Sequence, residues 1–157
     1  PDPVKPPLTG IRNGIMGRIT LKRCTMSLDL TKGITVIRPD KEIMTRQKIP
    51  YFVGISRETA GAEGISMNLV VIPPGATAEP HYHKDFETAI YILQGRVDNR
   101  YGEGLKESVI TKKGDFVFIP PGVPHSPVNL SATEPAMAIV SRNDPDQMEN
   151  VVLYESA

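Results

Sequence analysis

Tryptophan is absent from this sequence of 157 residues, cysteine occurs once and histidine three times. One cysteine, Cys24, excludes an internal disulfide and fits a reducing compartment, so the chain relies on its own packed core. No histidine lies near Cys24 in sequence, and Lys22 and Arg23 are weak stabilisers of a thiolate; an ordinary packed side chain is the expected role. Net charge is missing too. With 18 basic residues against 18 acidic ones, no overall field draws the chain to nucleic acid or to an anionic membrane. No apolar run approaches the ~20 residues needed to cross a bilayer, and the opening PDPVKPPLTG lacks the apolar core of a secretion signal. These absences lead to the expectation of a soluble cytoplasmic protein without a nucleic-acid or membrane partner.

What the chain does have is punctuation. Fifteen prolines and thirteen glycines divide it into short elements, which favours an all-β fold. Pro1 to Gly10 should form an extended arm, since four of its first seven residues are proline. Strands are expected at Ile19 to Thr25, Ile34 to Ile37, Tyr51 to Ser56 and Ile65 to Ile72. The last of these is almost continuously apolar and reads as covered on both faces. Further strands are expected at Thr88 to Leu93, Val97 to Tyr101, Glu107 to Thr111, Asp115 to Ile119, Ala136 to Ser141 and Val151 to Tyr154. Asp40 to Gln47 suggests a turn of helix capped by Asp40, Gly61 to Gly64 a hairpin loop, and Pro120 to Pro127 a restricted loop.

All three histidines fall within two stretches, Gly75 to Gly95 and Gly114 to Asn129. His81 and His83 are two residues apart, so on a strand both side chains leave the same face. Glu87 follows at an even offset and is a candidate third ligand; alternation from it sends Ala89, Tyr91 and Leu93 inward, where Tyr91 could donate a hydrogen bond to a substrate. Only folding can bring His125 to the others. An isolated His-x-His is more often a satisfied surface pair than a chelate, but the second stretch shifts that balance. Its Gly114, Pro120, Gly122, His125 and Asn129 form a spaced pattern expected by chance in on the order of one in ten thousand chains of this length. Three imidazoles and a carboxylate suit Fe(II), Mn(II), Ni(II), Co(II) or Zn(II), with occupancy falling as pH drops through the histidine range.

Gly75, His81, His83, Glu87 and Gly95 resemble the first cupin motif, with Glu87 one residue nearer His83 and Gly95 one residue further on than in a common form. Gly114, Pro120, Gly122, His125 and Asn129 match the second motif at every fixed position. The resemblance implies an antiparallel jelly-roll barrel, or double-stranded β-helix, that holds a divalent transition metal through His81, His83, Glu87 and His125. Residues 1–50 would then supply the arm and edge strands, and residues 51–157 the barrel. Tyr51 to about Tyr154 also resembles single-domain cupins of a mannose-6-phosphate isomerase-like subgroup. A homodimer is implied by the family resemblance alone.

Two adjacent open positions on such a metal would bind a small-molecule substrate through two oxygens. Oxygenase or lyase chemistry follows from that geometry, with sugar-phosphate isomerisation and non-catalytic ligand binding as the alternatives. Glu87, as a labile ligand, and Tyr91 are the candidate catalytic groups. Arg57, Arg96, Arg100 and Lys84 are the cations available to a substrate phosphate.

Overall fold

The computed structural model describes residues 33–146 and 150–155. Its strands are β1 (Glu42–Met44), β2 (Pro50–Ile55), β3 (Ser66–Ile72), β4 (His81–His83), β5 (Thr88–Gln94), β6 (Arg96–Tyr101), β7 (Glu107–Lys112), β8 (Phe116–Ile119), β9 (His125–Asn129), β10 (Ala136–Arg142) and β11 (Val151–Leu153). They form two antiparallel sheets. One has six strands in the order β1-β2-β3-β10-β5-β8, the other five in the order β11-β4-β9-β6-β7. Neighbours in a sheet are mostly distant in sequence, as in the jelly-roll arrangement anticipated from the two motifs. Among the described residues helix is confined to one turn of α-helix, α1 (Arg57–Ala60), and a 3₁₀ turn at Glu103–Leu105.

The core lies between the sheets. Tyr51, Val70, Ile72, Ala136 and Val140 from the six-stranded sheet meet Val97 from the other, with Ile49 and Ala78 closing the cluster. Burying each Val or Ile side chain contributes about 1.5–3 kcal/mol. The β5–β6 turn depends on Gly95, whose φ is +88° and where an added Cβ would stand 2.9 Å from Ala136. Asn129 is buried at the end of β9 and ties distant turns together: its Nδ2 donates to the carbonyls of Ile72, Pro73 and Glu134, and its Oδ1 accepts from the Ser131 N–H.

Several local expectations are corrected. Ile34 to Ile37 is not a strand, and Ile34 and Val36 are exposed. The segment 40–47 forms β1 instead of a helical turn, because pairing of Glu42, Ile43 and Met44 with β2 supplies hydrogen bonds that a single helical turn lacks. Between the strand expected to end at Ser56 and the loop expected to begin at Gly61, Arg57–Ala60 makes α1: the Ser56 hydroxyl accepts from the Thr59 N–H and the Thr59 hydroxyl from the Ser56 N–H, a capping box. In β3 Ser66, Asn68, Val70 and Ile72 are buried while Met67 is exposed and Leu69 and Val71 half-buried, so one face of the strand is open rather than both being covered. The expected strand at Ile19 to Thr25, the proline-rich arm and Cys24 lie outside the described residues. No helix among the described residues is long and apolar enough to cross a membrane.

Candidate metal centre

Strand β4 is only three residues long, and its two-residue period turns both histidines inward while Tyr82 faces away. His125, the first residue of β9, pairs directly opposite His81. The loop before it is held to β4 by the Gly122 N–H, which donates to the His83 carbonyl at 2.7 Å. Gly122 takes a φ of +78°, a conformation glycine adopts freely. Three imidazoles from two adjacent strands therefore meet on one face of the five-stranded sheet. Ring centroids lie 4.3 Å apart for His81 and His125, 4.8 Å for His83 and His125 and 5.4 Å for His81 and His83. Their ligating atoms all fall within 4.8 Å of one another.

Each Nδ1 is occupied. His81 Nδ1 donates to the Glu79 carbonyl at 2.8 Å and His125 Nδ1 to the Val123 carbonyl at 2.9 Å, which places the proton on Nδ1 and leaves the Nε2 lone pair free. His83 Nδ1 lies 2.6 Å from the Thr88 hydroxyl, and its Nε2 is buried without a hydrogen-bond partner. A buried, unsatisfied ring nitrogen beside two others is costly alone and is the donor set a transition metal takes up. The residues present thus fit a divalent metal ligated through Nε2, with the Nδ1 bonds orienting each ring.

The site also keeps the imidazoles neutral. Burial first, then His125 and Arg142, pushes His81 down to about 3; burial, Arg142 and the other histidines push His83 down to about 2. His125 is lowered as well, chiefly by burial. Burial therefore favours the unprotonated rings that a metal requires.

Glu87 and Tyr91 are not brought to the cluster. Glu87 is exposed, and its N–H donates to Asn143 Oδ1 at 2.8 Å. The residues of β5 that line the cavity are Thr88, Ile90 and Ile92, so Ala89 and Tyr91 face out, and Tyr91 packs on Phe116 of β8. Alternation counted from Glu87 was one residue out of step, and a slip of one reverses every side chain on a strand. The signal was in the spacing: the position one further from His83 and one nearer Gly95 is Thr88, which is fully buried and touches His83.

Sequence reading also missed three polar groups on the facing sheet and its approach. Arg142, buried at the end of β10, donates through an Nη to the Tyr51 hydroxyl at 2.9 Å, with its guanidinium 5.6 Å from the ring centres of Tyr51 and Phe86. Gln47 Nε2 donates to the same hydroxyl at 3.3 Å. Tyr51 accepts both bonds, which leaves its own proton for a ligand. Arg142 shares the alternation of Ala136 and Val140, both buried, so its inward direction could have been read from the strand; for Gln47 there was no signal. All three line one cavity whose remaining walls are largely Ile, Val and Ala.

Two antiparallel sheets enclosing a buried trio of imidazoles define a double-stranded β-helix barrel with a candidate metal site. Residues 68–141 match the Cupin_2 family model, described as a cupin domain. The chain is 33% identical over 85 residues to quercetin 2,3-dioxygenase of Escherichia coli strain K12, a match covering 54% of this chain and 34% of that enzyme. An uncharacterized protein of Methanocaldococcus jannaschii is 34% identical over 74 residues, covering 43% of this chain and 54% of its own length. The chain thus spans about a third to a half of the length of these relatives. Among solved structures, the polyketide cyclase RemF from Streptomyces resistomycificus superposes with a TM-score of 0.63 at 20% identity, covering 80% of this chain and 87% of that one. An oxalate decarboxylase from Lactobacillus farciminis gives 0.60 at 22% identity, covering 72% and 33%. At these identities the structural matches establish the fold.

Proposed function

We propose that this chain is a metal-dependent enzyme of the oxygenase or lyase type acting on a small oxygenated metabolite. The observation that carries the reading is the convergence of three buried imidazoles whose Nδ1 atoms are all engaged, leaving Nε2 donors for one metal. A metal of this class supplies Lewis acidity and, where redox-active, electron transfer to a bound substrate. His81, His83 and His125 would hold it. Thr88 fixes the ring of His83, Tyr51 offers a proton to the ligand, and the apolar walls exclude water.

Sugar-phosphate isomerisation has less support. Among the described residues no Asp or Glu lines the cavity to move a proton, and none of Arg57, Arg96, Arg100 or Lys84 reaches it. Arg57 is instead paired with Asp146, and Arg100 with Asp98. The homodimer remains a proposal, supported by the exposed apolar side chains of Phe116 and Phe118 on β8, an edge strand.

Elemental analysis of protein purified without chelator tests the site, with about one metal per chain expected. Oxygen consumption and carbon dioxide release with a panel of hydroxy acids, keto acids and catechols then test the chemistry. No metal after reconstitution would refute the enzyme reading, and metal uptake with both assays silent would favour a ligand-binding role.

A further inference from the structure

The charge of the cavity points to the class of molecule it takes. Among the described residues its lining contains no Asp or Glu, and holds the three imidazoles and one cation, Arg142. The position from which β5 could have offered a carboxylate is Thr88, while the nearest carboxylate in sequence, Glu87, is exposed on the outside. A divalent metal held by three neutral imidazoles keeps its full double charge, in a space walled mostly by Ile, Val and Ala. Uncompensated charge in such surroundings is costly, and an anion entering the site would remove most of that cost. The wall opposite the imidazoles carries the groups an anion needs: the Arg142 guanidinium, the spare proton of Tyr51 and the Gln47 amide, each less than a twentieth exposed.

We propose that the cavity selects small carboxylates over neutral molecules of the same shape, with the imidazole cluster on one side and the Arg142–Tyr51–Gln47 wall on the other, and that Thr88 creates this preference by standing where a ligating carboxylate would neutralise charge. The inference rests on the metal reading given above. It identifies the substrate of the proposed enzyme as an acid, and it makes the second half of the site, on the six-stranded sheet, an anion-recognition surface.

The test loads the full chain with Co(II), confirms uptake by elemental analysis, and titrates 2-oxopropanoate and its neutral amide while following the cobalt absorption bands. The acid should bind at least about tenfold more tightly than the amide, because the two differ by one charge in a poorly screened cavity. Thr88→Glu should retain cobalt and lose at least about tenfold in affinity for the acid, with little change for the amide. Tyr51→Phe, which keeps the packed ring, should weaken the acid severalfold. Equal affinity of the wild-type protein for acid and amide overturns the inference and leaves the metal reading standing. Failure to take up cobalt overturns both.

Discussion

Replacing Thr88 by Val removes a hydroxyl and keeps the shape of the side chain. Among the described residues the hydroxyl is the one hydrogen-bond partner of His83 Nδ1, at 2.6 Å, in a position with no solvent exposure. The variant leaves a buried ring nitrogen unsatisfied, which costs about 1–3 kcal/mol. For a chain of this size that corresponds to a fall in Tm of roughly 2–12 °C. It also frees the ring to turn by removing the hydrogen bond that orients it. Since the metal needs the Nε2 lone pair, affinity should fall about 10–100-fold, the usual effect of losing the group that orients a ligating histidine. Thr88→Ser restores the hydroxyl and should recover most of both losses. Thermal unfolding of the metal-free protein and a competitive Zn(II) titration measure the two quantities separately. The reasoning fails if Thr88→Val matches the wild type in both, or if Thr88→Ser is as damaged as Thr88→Val.

Two further outcomes follow from the structure. In the metal-free protein the histidines are depressed from an ordinary 6.5, His81 to about 3 and His83 to about 2, so their stabilising contribution is complete above pH 6.5 and is lost as pH falls toward the folded values. Each proton taken up on unfolding costs about 1.4 kcal/mol per pH unit; urea unfolding between pH 7 and 4.5 should show this slope, and a flat profile would refute neutral burial. Replacing Phe116 and Phe118 together by Lys, on an exposed edge strand, should convert a dimer to monomers in sedimentation velocity without lowering stability, whereas a monomeric wild type would exclude the dimer.

Much of the barrel was legible because its strands obey local rules. Ile90, Ile92, Val97 and Val140 belong to β-branched runs bounded by glycine and proline, and such runs read as strands wherever they fall. β4 and β9 did not read that way. His-Tyr-His has no strong preference of its own, and Pro127 within β9 lacks the N–H of a strand residue, yet its carbonyl accepts from the Ala78 N–H at 3.0 Å and the strand pairs with β6. Pairing partners far away in sequence decided both elements. At the site, the two motifs brought the three histidines into view because their spacing is rigid. The carboxylate was misplaced because strand parity cannot be fixed from one end: counting forward from His83 reaches Glu87 and counting back from Gly95 reaches Thr88, and packing of Thr88 against His83 settles which side chain enters.

The three imidazoles come from neighbouring strands of the five-stranded sheet, whereas Tyr51 and Arg142 come from the six-stranded one, which reaches the imidazoles only through Thr88 at His83. Apart from Thr88, the imidazoles and the Tyr51–Arg142 wall have separate scaffolds. On the proposed reading, substitutions of Tyr51 or Arg142 would change which molecule is accepted while the opposite sheet kept its hold on the ion, so a barrel built this way could acquire new substrates without first surrendering its metal.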